Sequence, residues 1–347
     1  MADREGAGMK AVVLVGGFGT RLRPLTETIK KELLPLVDRP ILDHTLDRLV
    51  RHGVDDVVMS SPYLEEAFHP FIEARHGDPR ITWVTEREPL GTGGAIVNTL
   101  PAVGDQPFFA LNGDICTDLD LSAMRAFHEE RGAAITIALH HVDDARAFGL
   151  VDTDDTGRVA AFREKPEDPI PGDVNAGTYL IDPAVLAPWT ADHEISIERE
   201  IFPAVIEAGH PVFGFVAETY WMDLGTPEKY LQAHYDLLAG AVQGVTYDAP
   251  WIAPTADVEQ GATLGARSTI GAEARVAAGA TVEDSVLHPG AAVGAGAVVR
   301  ASIIGPGAKV GAEANVSGCV LGAGSTVPDG LTIADAKVPT DGIATAS

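Results

Sequence analysis

A basic, glycine-rich loop near the N-terminus holds residues whose types and spacing could bind phosphate. The loop covers residues 16–31 and follows a short apolar run. Glycines at such a junction let backbone N–H groups approach phosphate oxygens closely, and arginine offers a planar fork that fits phosphate. The loop has neither the Gly-Lys-Ser/Thr end of a Walker loop nor the three-glycine spacing of a dinucleotide site. Its candidate phosphate-binding residues are the glycines Gly16, Gly17 and Gly19 together with Arg21.

The charge of the chain makes this loop distinctive. The sequence has 50 Asp and Glu residues against 25 Lys and Arg residues, a formal charge of −25. This balance argues against a nucleic acid or an anionic membrane surface as partner, since both require basic patches. An anionic ligand therefore needs a local excess of positive charge, and residues 10–31 supply one around the single acid Glu27. The basic residues there are Lys10, Arg21, Arg23, Lys30 and Lys31.

Further short polar motifs occur along the chain. Asp114 and Asp223 stand in the short motifs 112–114 and 221–227. Considered alone, an aspartate after a strand is as often a helix cap as a metal ligand. Residues 164–166 and 175–179 likewise contain the glycine, asparagine and proline of ordinary turns. Each motif is compatible with a purely structural role, and only their combination indicates a site.

The elements that must position these motifs follow an alternating pattern in the first part of the chain. Residues 11–15 form an apolar run, residues 41–52 have helical spacing, and residues 54–60 form the next apolar run. Further strands are predicted at 108–111, 134–140 and 212–216. Strands separated by helices predict a Rossmann-like α/β fold with a mostly parallel sheet, and ligands bind at the carboxyl ends of its strands.

A different repeat begins near residue 258. Apolar residues recur every six positions, then with a period of 17, for example at Val282, Val299, Val316 and Ile333. Three short sides per turn predict a left-handed parallel β-helix of hexapeptide repeats with about four coils. With 347 residues, the chain is expected to have two domains, an α/β domain at 9–240 and a β-helix domain at 250–336.

The cysteines and one histidine have structural interpretations. The two cysteines, Cys116 and Cys319, argue against a disulfide framework and favour a reducing cytoplasm. Cys319 occupies the repeat position of Ser285 and Ser302, so we predict a small packing residue in the coil. His288 falls at a turn of the repeat, where a surface position is expected. No apolar run approaches the about 18 residues that span a bilayer, so no membrane partner is expected.

Taken together, the motifs resemble those of the sugar nucleotidyltransferases, the pyrophosphorylases that make nucleoside-diphosphate sugars. The string at residues 14–26 resembles their nucleotide-binding signature. One departure is Lys30, which stands where the family usually has proline, so either Lys30 or Lys31 could contact the phosphate. The other motifs follow in family order and resemble a base-contacting loop (88–95), a metal-binding aspartate (112–114), a sugar-contacting turn (148–151), a pair holding the sugar phosphate (164–166), a sugar-hydroxyl site (175–179) and a second metal aspartate (221–227).

This resemblance implies attack of a sugar-1-phosphate oxygen on the α-phosphorus of a nucleoside triphosphate, with release of pyrophosphate. The nucleophile is already anionic, so the reaction depends on positioning and on neutralising charge rather than on a general base. The implied catalytic residues are Arg21, Lys31, Asp114 and Asp223, and both aspartates are expected to bind Mg²⁺. The implied substrate-binding residues are Gly16, Gly17, Gly19, Thr20, Glu88, Gly91, Thr92, Asn112, Gly149, Glu164, Lys165, Asn175 and Gly177.

The branch of the family sets the expected substrates. Residues 15–26 and 195–203 are most similar to the mannose-1-phosphate guanylyltransferases, which implies GTP and mannose-1-phosphate. A glucose-1-phosphate thymidylyl-, uridylyl- or adenylyltransferase is the alternative within the class. An acetyltransferase activity of the tail and a catalytically silent sugar-nucleotide sensor are alternatives outside it. The flat faces and open ends of a β-helix favour a homo-oligomer.

Overall fold

The computed structural model describes residues 8–62 and 65–345, with Glu65 and Glu164 described through their backbone only. These residues form two compact units. The first unit comprises residues 8–16 and 45–221, and the second comprises residues 17–44 and 222–345. The basic loop therefore groups with the C-terminal part of the chain, and the two units are described separately.

In chain order, the elements before the β-helix are β1 (Met9–Leu14), β2 (Pro35–Leu36), β3 (Arg39–Pro40), α1 (Ile41–Arg51), β4 (Val54–Ser61), α2 (Glu65–Ala74), β5 (Arg80–Thr85), α3 (Gly91–Val103), β6 (Phe108–Asn112), β7 (Ile115–Thr117), α4 (Leu121–Arg131), β8 (Ile135–Val142), β9 (Gly149–Thr153), β10 (Val159–Glu164), β11 (Gly172–Ile181), α5 (Phe202–Glu207), β12 (Val212–Val216), β13 (Trp221–Asp223) and α6 (Pro227–Leu238). Short 3₁₀ turns lie at Thr20–Leu22, Leu25–Glu27, Lys31–Leu33, Ala145–Ala147 and Pro183–Leu186, and a π-helix lies at Ile197–Ile201.

The main sheet of the first unit has the strand order β10-β9-β11-β6-β1-β4-β5, and β8 pairs with both β11 and β12. Strands β6, β1, β4 and β5 are parallel to one another, as the alternating pattern predicts. Strand β11 runs antiparallel to β6, β8 and β9, an arrangement that the pattern did not predict. The α/β prediction is confirmed, and the predicted strand at 212–216 coincides with β12.

The local sequence explains where these elements begin and end. Strand β1 is an apolar run whose Ala11, Val12 and Val13 are fully buried, as expected of a strand covered on both faces of a parallel sheet. Asp120 caps the N-terminus of helix α4, because its Oδ1 accepts the N–H of Ala123 at 2.9 Å. Gly132 caps the C-terminus of the helix in a left-handed conformation with φ 56°.

The C-terminal part of the second unit is a parallel β-helix of short strands. Its three sheets contain corresponding strands from successive coils, so each coil contributes one strand to each face. The strands are β14 (Trp251–Ile252), β15 (Asp257–Val258), β16 (Thr263–Leu264), β17 (Thr269–Ile270), β18 (Arg275–Val276), β19 (Thr281–Glu283), β20 (Val286–Leu287), β21 (Ala292–Val293), β22 (Val298–Arg300), β23 (Ile303–Ile304), β24 (Lys309–Val310), β25 (Asn315–Ser317), β26 (Val320–Leu321), β27 (Thr326–Val327), β28 (Thr332–Ala334) and β29 (Lys337–Val338).

The coil count differs from the sequence prediction. Within residues 251–345, the strands complete five coils, and β29 begins another. The first step along the stack pairs Trp251 with Thr269 and spans 18 residues, whereas the next pairs Thr269 with Val286 and spans 17. The 17-residue period therefore missed the first coil, which consists of three six-residue sides.

Two residues of the coil test the structural interpretations. Cys319 is buried, and its N–H donates to Ser302 Oγ at 3.0 Å, while the N–H of Ser302 donates to Ser285 Oγ at 3.1 Å. The predicted packing role of Cys319 is confirmed. The predicted surface position of His288 is wrong, because its side chain is buried against Tyr230 of α6. The repeat could not reveal this contact, since α6 lies outside the repeat.

Across the described residues, none of the helices combines the length and the apolar character that crossing a membrane requires.

The stacked core of the β-helix gives a testable stability prediction. Ile304 is fully buried between Leu287 and Leu321 of the neighbouring coils. Ile304→Ala should lower the free energy of unfolding by about 2–5 kcal/mol, because it removes buried methyl groups and leaves a cavity. Urea denaturation, with the β-helix transition assigned by hydrogen exchange, measures the loss. Lys309→Ala, at an exposed position, is the control and should change the free energy of unfolding by less than about 0.5 kcal/mol. Equal losses for both variants would contradict the prediction.

Candidate functional site

The carboxyl ends of the parallel strands of the first unit lie at one edge of the sheet. Leu14 of β1 is in register with Asn112 of β6 and with Ser60 of β4. The N–H of Gly113 donates to Leu14 O at 2.9 Å, so the turn after β6 is fixed against the end of β1. Asp114 follows in this turn and is half-buried. The strand register therefore brings the predicted Asn112 and Asp114 to the same sheet edge as the start of the glycine loop.

The predicted base-contacting loop leads into α3. Gly91 has φ 68°, and a Cβ there would lie 2.6 Å from Ile195 O, so the position requires glycine. The N–H groups of Gly93 and Gly94 donate to Ile195 O at 2.8 and 3.2 Å. Residue 195 thus accepts two donors of the first turn of α3. Glu88 is exposed just before the helix, and Thr92 is half-buried at its start.

Glu86 is a polar residue that the sequence reasoning missed. Its side chain is buried between β4 and the loop that precedes α3. Ser60 Oγ donates to Glu86 Oε1 at 2.9 Å, and the N–H of Leu90 donates to Oε2 at 3.0 Å. Burial raises the pKa of Glu86 above its ordinary value, and the two hydrogen bonds oppose that rise. The carboxylate therefore fixes the approach to the predicted base loop.

Strand β11 presents the predicted sugar-hydroxyl residues at an irregularity in its pairing. The register of β11 with β8 shifts between Asn175 and Tyr179. The N–H of Gly177 donates to Asn175 Oδ1 at 2.9 Å, and Asn175 Nδ2 donates to the Tyr179 hydroxyl at 2.8 Å. Gly177 has φ 68°, and a Cβ there would lie 2.7 Å from Asn112 Nδ2. The bulge thus brings Gly177 next to Asn112, and Asn175 is held to Gly177.

Gly149 and Lys165 lie together at the other end of the predicted sugar region. Strands β9 and β10 pair Gly149 with Glu164, and the N–H of Lys165 donates to Phe148 O at 3.0 Å. Lys165 has φ 47° and an exposed side chain. The Trp221 ring packs edge-on against Phe148, with ring centroids 5.2 Å apart, and its Nε1 donates to Ala176 O at 3.0 Å. Trp221 therefore links the turn at Gly149 to the bulge in β11.

In the second unit, Arg21 lies beside the segment that carries Asp223. A Cβ at Gly225 would lie 2.6 Å from Arg21 Nη2 and 3.1 Å from Asp223 Oδ2, so the missing side chain leaves space for the guanidinium. Lys229, which sequence reasoning missed, places Nζ 3.6 Å from Asp223 Oδ2. Thr226 begins α6 by accepting the N–H of Lys229. Two cationic groups and one carboxylate are thus gathered at the start of α6.

The glycine loop of the second unit is shaped by its own side chains. Gly19 has φ 59°, and Thr26 Oγ1 donates to Gly19 O at 2.8 Å. A Cβ at Gly19 would lie 3.3 Å from Lys31 Cβ, so Lys31 packs closely under the loop. Gly17 and Thr20 are exposed, Lys30 is half-buried, and Lys31 is buried. Gly16 ends the first unit, where a Cβ would lie 3.0 Å from Pro62 Cδ.

Residues far along the chain hold this loop within the second unit. The buried Tyr230 of α6 donates to Pro35 O, and its hydroxyl lies 3.1 Å from His288 Nε2. Burial lowers the pKa of His288 to about 4, so this histidine is neutral near pH 7. The N–H of Thr340 donates to Glu27 Oε2 at 3.0 Å, and Tyr247 donates to Asp38 at 2.6 Å. Glu27 of the loop therefore contacts the end of the β-helix, and the segment that follows the loop contacts α6 and residue 247.

Among the described residues, no group of three or more His, Cys, Asp or Glu side chains could hold a metal ion. Asp114 and Asp223 each offer a half-buried carboxylate. A hard cation such as Mg²⁺ commonly takes one or two protein carboxylates and completes its shell with water and substrate phosphate oxygens. The donor chemistry of these aspartates fits such an ion, whereas a dedicated protein cage is not found in this part of the chain.

Two family models match the chain over consecutive regions. Residues 10–240 match the family described as Nucleotidyl transferase, and residues 247–344 match the GMPPB C-terminal domain.

Named relatives are similar over most of the chain. The Mannose-1-phosphate guanylyltransferase of Mycobacterium tuberculosis is 38% identical, with 80% of each chain covered. Mannose-1-phosphate guanylyltransferase 1 of Arabidopsis thaliana is 35% identical over 80% of this chain and 79% of that protein. Among solved structures, HddC from Yersinia pseudotuberculosis complexed with GMP-PN superposes with a TM-score of 0.54 and 27% identity, covering 65% of this chain and 97% of that chain.

The buried carboxyl of Glu86 predicts a pH-dependent contribution to stability. Because the pKa of Glu86 is higher in the folded than in the unfolded chain, the folded state binds its proton more tightly. The stability of the wild type relative to Glu86→Gln should therefore fall as pH rises above the ordinary value of 4.5, and then level off above the folded pKa. Urea denaturation of both proteins from about pH 4 to about pH 7 measures this difference. A difference that stays constant across the range would contradict the assignment.

Proposed function

The chain belongs to the nucleotidyl transferase family, and on that premise we propose that it transfers the guanylyl group of GTP to mannose-1-phosphate and releases pyrophosphate. The observation that carries this proposal is the similarity to proteins named mannose-1-phosphate guanylyltransferase at 35–38% identity over 80% of the chain. The matching C-terminal domain and the fold shared with a structure complexed with GMP-PN support it.

The reaction joins two anions, so its main requirement is positive charge held in fixed positions. The sugar-phosphate oxygen attacks the α-phosphorus, the bond to the β-phosphate oxygen breaks, and pyrophosphate leaves with that electron pair. Arg21, fixed beside Gly225 and Asp223, is assigned to the departing pyrophosphate. Lys31 is assigned to the nucleotide phosphates, and the exposed Lys165 to the phosphate of the sugar.

The remaining assignments divide between nucleotide and sugar. We assign the backbone groups of the loops that contain Gly16 and Gly91 to the base and phosphates. A side chain at either position would meet protein atoms at 3.0 Å or less, so both loops are shaped by glycine. The other nucleotide residues that we assign are Gly17, Gly19, Thr20, Glu88, Thr92 and Asn112. The bulge at Asn175 and Gly177 and the paired Gly149 and Glu164 are assigned to the hexose.

We assign divalent-cation binding, Mg²⁺ by preference, to the carboxylates of Asp114 in the first unit and Asp223 in the second unit. When bound, such an ion supplies charge neutralisation at the phosphate oxygens. Lys229 lies 3.6 Å from Asp223 Oδ2 and keeps this carboxylate oriented near Arg21. The aspartates are the only acids to which we give this role, and neither is required as a proton acceptor because the nucleophile is anionic.

The proposal also includes the roles of the two domains, the oligomeric state and the cellular compartment. We assign catalysis to residues 9–240 and an assembly role to the β-helix at 250–336, with a homo-oligomer as the expected form. The separate, buried thiols of Cys116 and Cys319 suit a cytoplasmic protein.

A pyrophosphate-release assay on a matrix of nucleoside triphosphates and sugar-1-phosphates tests the function. GTP with mannose-1-phosphate should give the highest kcat/KM, and a chelator should abolish turnover that added Mg²⁺ restores. Activity only with glucose-1-phosphate and one nucleoside triphosphate would reject GTP and mannose-1-phosphate as the substrates. The assignment to the sugar-1-phosphate nucleotidyltransferases would then still stand. If no pair of substrates is turned over, the proposed enzymatic activity is rejected.

The space at Gly225 provides a second test. Gly225→Ala should displace the flexible end of Arg21 without unfolding the chain, because its Cβ would lie 2.6 Å from Arg21 Nη2. We expect kcat to fall roughly tenfold for Gly225→Ala and about a hundredfold or more for Arg21→Ala. Steady-state kinetics measure both effects, and thermal unfolding checks the fold. Gln232→Ala on the exposed side of α6 is the control. A normal kcat in Arg21→Ala would remove the role assigned to this residue.

A further inference from the structure

Glu198 links the predicted base loop to the strand that carries Asn175. Its Oε2 accepts hydrogen bonds from Thr92 Oγ1 and Ser196 Oγ, each at 2.9 Å. Thr92 stands at the start of α3, and its hydroxyl also accepts the N–H of Ile197 at 3.0 Å. One arm of the network thus fixes the first turn of the helix that follows the base loop.

The second arm of the network runs to the sugar region. The Tyr179 hydroxyl, on a fully buried side chain, donates to Glu198 Oε1 at 3.4 Å and accepts from Asn175 Nδ2 at 2.8 Å. Asn175 Oδ1 accepts the N–H of Gly177, so both ends of the Asn175 amide are oriented. One amide hydrogen and one oxygen lone pair of Asn175 remain for a hydroxyl of a ligand. All these residues belong to the first unit.

The backbone around Glu198 is unusual in a way that suits this task. Glu198 lies in the π-helix Ile197–Ile201, and π-helical turns occur frequently at functional sites. Ile197 and Ile201 are fully buried, and Ser196 caps the turn by accepting the N–H of Arg199. The turn is therefore anchored in the core at both ends, while the carboxylate of Glu198 points to Thr92 and Tyr179.

We propose that Glu198 is a positioning residue that holds the nucleotide and sugar regions of the first unit in place through a single carboxylate. This inference rests on the proposed function, because Thr92 and Asn175 contact substrates only if that function is correct. Glu198 acts through its neighbours: Thr92 is held directly, and Asn175 is held through Tyr179. Removal of the Glu198 carboxylate should therefore weaken the binding of both substrates. Loss of the hydrogen bonds of one arm should weaken the binding of one substrate only.

The test compares KM values for the two substrates in variants of the full-length chain. Glu198→Ala should raise KM for both GTP and mannose-1-phosphate roughly tenfold, since each arm loses a hydrogen bond to a charged group. Tyr179→Phe should raise KM for mannose-1-phosphate alone, and Thr92→Val should raise KM for GTP alone. Glu198→Gln retains one oxygen acceptor and should give intermediate values.

A double-mutant cycle separates positioning from general loss of structure. In an Asn175→Ala background, Glu198→Ala should add little to KM for mannose-1-phosphate, because the sugar arm is already broken, but it should still raise KM for GTP. Glu200→Ala in the same π-helix is the control, since Glu200 Oε1 accepts only the N–H of Ser196 among the contacts of this turn.

The outcomes distinguish this inference from the function on which it rests. If the wild type does not turn over GTP and mannose-1-phosphate, the proposed function fails. If the wild type is active and Glu198→Ala changes neither KM, changes one only, or adds its full effect in the Asn175→Ala background, the positioning role is overturned. Thermal unfolding of each variant shows whether the fold is retained, and the KM pattern across the two arms is the decisive readout.

Discussion

Parallel pairing of β1 with β4 and β6 is the constraint on which the site of the first unit depends. Because the three strands share one direction and one register, Leu14, Ser60 and Asn112 end at the same edge. Loops that leave this edge bring Asp114 and the approach to α3 into one region. Backbone hydrogen bonds between the strands fix the positions at which these loops begin. Short side chains on the loops can therefore be held rigidly in place.

Polar contacts then position the loops that leave the sheet, and they do so in a similar way. Glu86 and Glu198 each use both carboxylate oxygens to join segments that are distant in sequence. A carboxylate that accepts several hydrogen bonds orients its donors more firmly than a neutral acceptor, because charge-assisted bonds are stronger. In the second unit, the absence of a side chain at Gly225 has the complementary effect, since it leaves the space that the Arg21 guanidinium occupies.

The sequence predicted the elements of the fold better than the connections among them. Apolar periodicity located β12 and the β-helix, because local burial determines both patterns. It did not predict that β11 runs antiparallel, since strand direction depends on the whole chain. The motif at 175–179 drew attention to Asn175 but not to Glu198, whose importance comes from a contact with Tyr179 across the fold. The buried His288 was misplaced for the same reason: the repeat describes its coil, and the burial comes from Tyr230.

The glycine loop at residues 16–31 shows most clearly that local sequence does not determine the conformation of a loop by itself. Ordering the backbone of a loop costs about 1–2 kcal/mol per residue, and a glycine-rich stretch sits at the costly end of that range. Part of this cost is offset before any ligand binds, because the N–H of Thr340 donates to Glu27 of the loop, while Tyr230 and Tyr247 hold Pro35 and Asp38 in the segment that follows the loop. Contacts that pre-organise a binding loop strengthen binding without touching the ligand. Residues from α6 to the end of the β-helix thus contact the loop and the segment that follows it. The C-terminal part of the chain therefore helps to fix the conformation of these segments, in addition to any part it plays in assembly.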